Sequence, residues 1–351
     1  MDFLDVLIII VKVVVAFVFL LINTLLLIWA ERKVVAWMQN RVGPTRAGPA
    51  GVLQGLADGI KLFFKEHITP RNVEFNVYIL APVLSLLPAL LIFTVIPMGP
   101  SFAIGERTVS FQVTDLNVGL LFIIAMSSTA VYAVVLAGWS SGSKYPLLGG
   151  VRATAQAISY EAAMGLALVP AIVYAGTLSL SELVAHQSGR FAGLLPNWHI
   201  IVLAPSFILF FIAAVAETNR APFDLVEAES ELVGGFHTEY SGIRFALFFL
   251  AEYINIFSMS ALAVTVFLGG FNGPALFEVG TFPASLVGVV WFLVKTYAVV
   301  FLFFWIRATL PRLRYDQLME LGWKRLIPAT LAWLGVFSIV LGFVRFGAPW
   351  A

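Results

Sequence analysis

The chain has 351 residues, of which 60% are hydrophobic and 12% charged, and its mean hydropathy is +0.94. So large an apolar fraction cannot be hidden from water in a soluble fold, which leaves an all-α polytopic membrane protein. The net charge of +1 gives no case for nucleic-acid binding, and the absence of cysteine excludes disulfides, thiolate chemistry and cysteine-ligated iron–sulfur clusters in this chain.

A membrane-spanning helix needs about 20 mostly apolar residues. In chain order, segments near 5–30, 77–98, 117–139, 153–176, 199–216, 243–267, 286–307 and 326–345 meet that length, so about eight transmembrane helices are expected in a single integral-membrane domain. The first is longer than a signal-peptide core and lacks a small-residue cleavage site, so it reads as a span. Lys12, near its outer end, reads as a snorkelling cation. Glu31, Arg32 and Lys33 close it with a charged triplet of the kind that anchors a helix at the cytoplasmic surface. The run R-V-G-P-T-R-A-G-P-A-G that follows is too rich in glycine and proline for regular structure.

Residues 52–66 then form an amphipathic helix. At about 100° per residue, Val52, Leu53, Leu56, Ala57, Ile60, Phe63 and Phe64 share one arc, and Gln54, Asp58, Lys61 and Lys65 cluster opposite. A helix of about 22 Å with this pattern lies in the membrane interface.

Cations concentrate in the loops 31–76, 140–152, 217–242 and 308–325, while the opposite loops hold Arg107 and Arg190, with Arg345 at the outer end of the last span. The positive-inside bias then places the long first loop in the cytoplasm and both termini outside it. No inverted repeat, low-complexity linker or second domain is visible.

The stretch 217–242 sets Glu217, Asp224, Glu227, Glu229, Glu231 and Glu239 against a single cation, Arg220, with apolar residues between them. Burial of acids without cationic partners raises their pKa values, and crowded carboxylates titrate as a coupled set, which suits proton handling. Two further acids fall within spans: Glu161 lies about 12 Å into the fourth and Glu252 about 14 Å into the sixth. A carboxylate at that depth costs several kcal/mol unless it is protonated, paired or hydrated, and so marks a functional site. Lys295 in the seventh span is either their counter-ion or a snorkelling cation. The basic segment 307–318 is either an anchor or a docking face for an acidic partner. The four histidines are scattered, with no pairing at i, i+4, so no metal site is expected.

Several long motifs carry a family resemblance: A-E-R-K at 30–33, the text from Arg41 to Glu66, G-W-S-S-G-S-K-Y at 138–145, V-R-A-T-A-Q-A-I-S-Y-E ending at Glu161, the 217–240 loop and P-R-L-R-Y-D-Q-L at 311–318. Together they resemble the H-type membrane component of bacterial NADH–quinone oxidoreductase, respiratory complex I, over nearly the whole chain.

The resemblance implies a quinone-binding, energy-coupling translocase subunit in the bacterial cell inner membrane, inactive alone. It would anchor the hydrophilic arm beside the quinone-module and membrane-arm subunits, with FMN and iron–sulfur clusters in those partners and no cofactor in this chain. By the same resemblance, Arg32, Asp58, Lys61 and Phe245 border the quinone path, and Glu31 and Arg41 shape its mouth. The acids of 217–242 respond to quinone reduction, and Glu161 and Glu252 pass the signal or protons onward. One position departs from the family pattern. Ala130 stands where many relatives carry a glutamate, leaving hydroxyls such as Ser127, Ser128 and Thr129 to serve the third span. Alternatives are a ferredoxin- or F420-dependent relative, a membrane hydrogenase anchor, a transporter or channel using Glu161, Glu252 and Lys295, and a pure scaffold.

Overall fold

A computed structural model describes residues 3–104, 107–191, 195–224, 233–273 and 281–346. The apolar runs are helical, as they must be where no water is present to satisfy the backbone. The helices are α1 (Phe3–Met38), α2 (Gln54–Phe64), α3 (Phe75–Thr94), α4 (Gly119–Ser140), α5 (Lys144–Ala175), α6 (Leu180–His186), α7 (Ala204–Glu217), α8 (Gly242–Phe267), α9 (Phe282–Thr309), α10 (Tyr315–Glu320) and α11 (Ile327–Phe346). A π-helical stretch, Leu321–Leu326, joins the last two into one run. Among the described residues, seven helical runs are long and apolar enough to cross a membrane, and α7 is a shorter apolar helix.

Helix α8 is the axis of the molecule. Of its most apolar window 72% is buried, against 11% for α1 and for the α10–α11 run. Helices α1, α3, α7 and α9 pack on it, α4 bridges α3 and α5, and α5 also contacts α7 and α11. Phe257, Phe267, Phe210, Tyr160 and Phe292 are fully buried between them. The exposed Leu7, Ile10, Val11 and Val14 of α1 form a face suited to lipid tails.

Three spans differ from the sequence expectation, the first by running on to Met38 so that Glu31, Arg32 and Lys33 lie within the helix rather than closing it. The fourth starts at Lys144 rather than near 153, although K-Y-P-L-L-G-G-V-R looks like a loop. Pro146 sits in the first turn, where its missing N–H leaves no intrahelical bond unmade. The glycines permit close approach: a Cβ on Gly149 would stand 2.8 Å from Gly235 Cα. The fifth span is broken, with a 3-10 turn at His199–Ile201 ahead of α7. At 1.5 Å per residue, α7 reaches only about 21 Å, short of a bilayer core of about 30 Å. Its C-terminal end, and the non-helical chain after it, are tolerated at depth because they are buried in protein.

The interfacial helix spans Gln54–Phe64, with Leu56, Ile60, Phe63 and Phe64 exposed and Gly55 resting on the backbone of Leu25. The loop before it turns at Gly51, whose φ is +81° and where an added Cβ would collide with the Pro44 carbonyl oxygen. Two short antiparallel hairpins, Phe102–Ile104 with Arg107–Val109 and Arg190–Phe191 with Leu195–Pro196, cap the opposite end of the bundle. The apolar periodicity gave no sign of them.

Candidate active site: a buried ion cluster and a carboxylate cavity

Where α7 ends, Gln156 of α5 holds the chain. Its side-chain amide donates to the carbonyl oxygens of Ala216 and Phe223, each at 2.8 Å, and so folds residues 217–223 back against α5. That turn drives Arg220 inward, where it is 6% exposed. Its Nε lies 2.7 Å from Glu252 Oε1 and its Nη1 3.4 Å from Glu31 Oε1. The guanidinium stands 4.6 Å over the ring of Tyr253. Glu31, 4% exposed, also accepts from the Tyr253 hydroxyl at 2.6 Å and from Arg307 near the end of α9. Three helices and one loop are thereby pinned by alternating charges, which is how buried ions become tolerable.

The cluster borders a cavity of about 90 Å³ between α4, α5, α8 and the 233–241 segment. Glu217, Glu252, Asn219, Asn255, Thr154, Ser127 and His237 line it on the polar side; Phe236, Phe245, Phe248 and Phe249 form the apolar wall. Glu217 is half-buried, its buried Oε2 has no hydrogen-bond partner, and it lies near enough to Glu161 for their charges to interact. Glu161 accepts from Ser127 Oγ at 3.3 Å and from the Ser128 hydroxyl. The hydroxyls beside Ala130 thus serve the acid across the α4–α5 contact, whereas Thr129 is bound to the Ala125 carbonyl. Burial pulls the His237 imidazole down to about 4 against the opposing charge of Asp224, so this cavity residue is neutral at pH 7.

Among the described acids of the segment, the cation that pairs with a carboxylate comes from outside it. Arg220 serves Glu31 and Glu252, neither of which belongs to the segment. Asp224 has a cation of its own, with Arg312 Nη2 3.7 Å from its Oδ1 and bonded to its carbonyl. Leu313 N also donates to the Pro222 carbonyl at 3.0 Å, so part of the basic 307–318 segment packs on this chain's own loop. Glu239 is half-buried, and its carbonyl accepts the Tyr78 hydroxyl at 2.7 Å. Glu227, Glu229 and Glu231 lie outside the described residues.

A second grouping lies between α1 and α2. Asp58 joins Arg32 at 2.7 Å, Gln54 Nε2 at 3.1 Å and Lys61 at 3.9 Å. Phe245 is on the cavity wall instead, edge-on to His237 at 5.3 Å and stacked on Phe249 at 6.0 Å. Arg41 is exposed and bonds Gln39, apart from both groupings. Glu31 sits in the ion cluster. Lys295 is no counter-ion to the acids: its ammonium donates to the carbonyls of Leu268 and Asn272, each at 2.8 Å, past the far end of α8. Lys12 reaches Ser110 and Gln112 of the hairpin region rather than snorkelling freely. Arg307, Tyr253, Gln156, Asn219 and Asn255 belong to the site but escaped the sequence reading, which had only the charge of Arg307 as a signal.

The NADH dehydrogenase family model matches residues 11–338. The H-type component of NADH-quinone oxidoreductase from Frankia casuarinae is 54% identical over 346 residues, covering 97% of this chain and 75% of the relative. The chain belongs to the NADH dehydrogenase family. As a member of that family it is a multi-pass membrane component of NADH–quinone oxidoreductase, complex I, and hence part of an oxidoreductase. Within this family member, the Glu31–Arg220–Glu252 cluster and the cavity beside it are the most densely charged buried region among the described residues.

Proposed function

We propose that this chain is the quinone-binding, energy-coupling subunit of its oxidoreductase, and that the cavity carboxylates couple quinone reduction to proton movement. The supporting observation is the contiguity of the ion cluster with a cavity that holds a buried, unpartnered carboxyl oxygen on Glu217. Quinone reduction takes two electrons and two protons per molecule, so charge changes where the head group is reduced. Paired carboxylates nearby respond by shifting protons and partners.

In this reading the isoprenoid tail enters past the exposed apolar face of α2 and the head passes Arg32, Asp58 and Lys61. Electrons come from FMN and iron–sulfur clusters in hydrophilic partner subunits docked on the cation-rich face. The loop acids, Glu217, Glu161 and Glu252 carry the coupling toward the membrane arm. The positive-inside bias puts that face in the cytoplasm of a bacterial cell and both chain ends outside it.

The mouth is tested by Asp58→Asn in the assembled complex. Loss of the Arg32 and Lys61 pairing is expected to raise KM for a short-tailed quinone several-fold while NADH oxidation by an artificial acceptor is unchanged. An unchanged KM together with unchanged inhibitor sensitivity would remove these residues from the quinone path.

A further inference from the structure

His186 and His199, thirteen positions apart, are brought together at the hairpin end of the bundle, with His186 Nδ1 2.9 Å from His199 Nε2. His199 Nδ1 in turn stands 2.9 Å from the carbonyl oxygen of Val266. Val266 lies 14 residues beyond Glu252 on α8, about 21 Å along the helix, so this pair is remote from the carboxylate cavity.

The hydrogen positions follow from chemistry. A carbonyl only accepts, so Nδ1 of His199 carries the hydrogen and Nε2 of the neutral ring presents a lone pair. His186 donates to it through Nδ1. A histidine whose second nitrogen is fixed by a backbone carbonyl has the tautomer and orientation of a metal ligand already set. The surroundings hold both rings. Tyr174 packs edge-on against each at 5.2 Å, the His199 N–H donates to Gln187 Oε1 at 3.2 Å, and the Asn197 amide donates to the His186 carbonyl at 3.2 Å. His199 is 1% exposed, whereas His186 is exposed.

We propose that His186 and His199 form a binding site for a borderline divalent transition ion, Cu²⁺ or Zn²⁺, held through His186 Nδ1 and His199 Nε2. The His186 hydrogen moves from Nδ1 to Nε2, and the ion takes the place of the hydrogen bond with no change in protons bound. For metal–nitrogen bonds of about 2.0–2.1 Å, nitrogens 2.9 Å apart subtend about 90° at the metal. That angle suits adjacent ligands of tetragonal Cu²⁺, which also binds imidazole more tightly than Zn²⁺ does; widening by a few tenths of an ångström gives tetrahedral Zn²⁺. Among the described residues no three histidines, aspartates or glutamates gather as a metal cluster, and the Glu182 carboxylate one turn before His186 is taken by the Thr177 hydroxyl. Water at the exposed His186 side completes the coordination.

The test is a Cu²⁺ titration of the air-oxidised, assembled oxidoreductase followed by electron paramagnetic resonance, comparing wild type with His186→Ala. The expected difference is one Cu²⁺ per complex, with hyperfine splitting from two nitrogens, lost in the variant and displaced from the wild type by excess Zn²⁺. Should the alanine variant fail to accumulate, His186→Gln, which keeps an amide donor facing His199, gives the same comparison. Equal stoichiometry and spectra in wild type and variant, including no binding in either, overturn the proposal.

Discussion

Arg220 carries the site because two carboxylates from helices remote in sequence depend on it. Removing one partner from a buried ion set typically costs about 3–5 kcal/mol, since the charges left behind stay desolvated. Arg220→Met is therefore expected to lower the accumulation and melting temperature of the complex sharply. Tyr253→Phe removes only the hydroxyl donor to Glu31, for which a loss of about 1.5–3 kcal/mol is expected in thermal unfolding. Burial holds the His237 pKa near 4, below its unfolded value of about 6.5, so the unfolded chain binds the extra proton first. The stability tied to neutral His237 is full above about pH 6.5 and is lost as pH falls toward 4. Unfolding measured from pH 7 to pH 5 should be flatter in His237→Asn by roughly 1–3 kcal/mol. Glu161 and Glu252 were legible in sequence because a carboxylate in an apolar span is conspicuous. The ion cluster was not: Arg307 lies 276 positions from Glu31, and no local pattern encodes that meeting.

At the scale of elements, the site depends on one short helix that starts late and one that starts early. The short α7 places Glu217 at a buried C-terminal turn, and the extension of α5 to Lys144 gives Gly149 the surface on which Gly235 rests. Gly149→Ala forces a Cβ to within 2.8 Å of the Gly235 Cα, so the 233–241 segment must lift. The expected loss is about 1–3 kcal/mol, with faster proteolysis of that segment in the variant. Hydropathy located the helices but missed where α5 and α7 start and where α1 ends. Proline and glycine read as loop signals until tertiary contacts show why they are tolerated. The amphipathic pattern of α2, by contrast, was plain in the sequence because its period is local.

Across the whole molecule, charge and hydrogen bonding divide the two ends. One end gathers the ion cluster, α2 and the basic segments. The other gathers the hairpins, with Asp5 paired to Arg107 at 2.5 Å and Arg345 bonded to the Tyr174 carbonyl, also at 2.5 Å. The first and last described helices therefore begin and finish on the hairpin side. Because the chain has no cysteine, single replacements report its sidedness cleanly. Ser101→Cys should react with an impermeant thiol reagent in intact cells, and Arg71→Cys only in inverted vesicles; the reverse pattern would invert the proposed topology.

The most direct measurement of the coupling role uses proteoliposomes of the complex carrying Glu217→Gln or Glu252→Gln, recording NADH-driven quinone reduction together with proton uptake. A relay through the cavity predicts that both fall by about tenfold or more, equivalent to at least ~1.4 kcal/mol of barrier, while NADH oxidation by an artificial acceptor is unchanged. Quinone reduction and proton uptake at wild-type rates in both variants would contradict it.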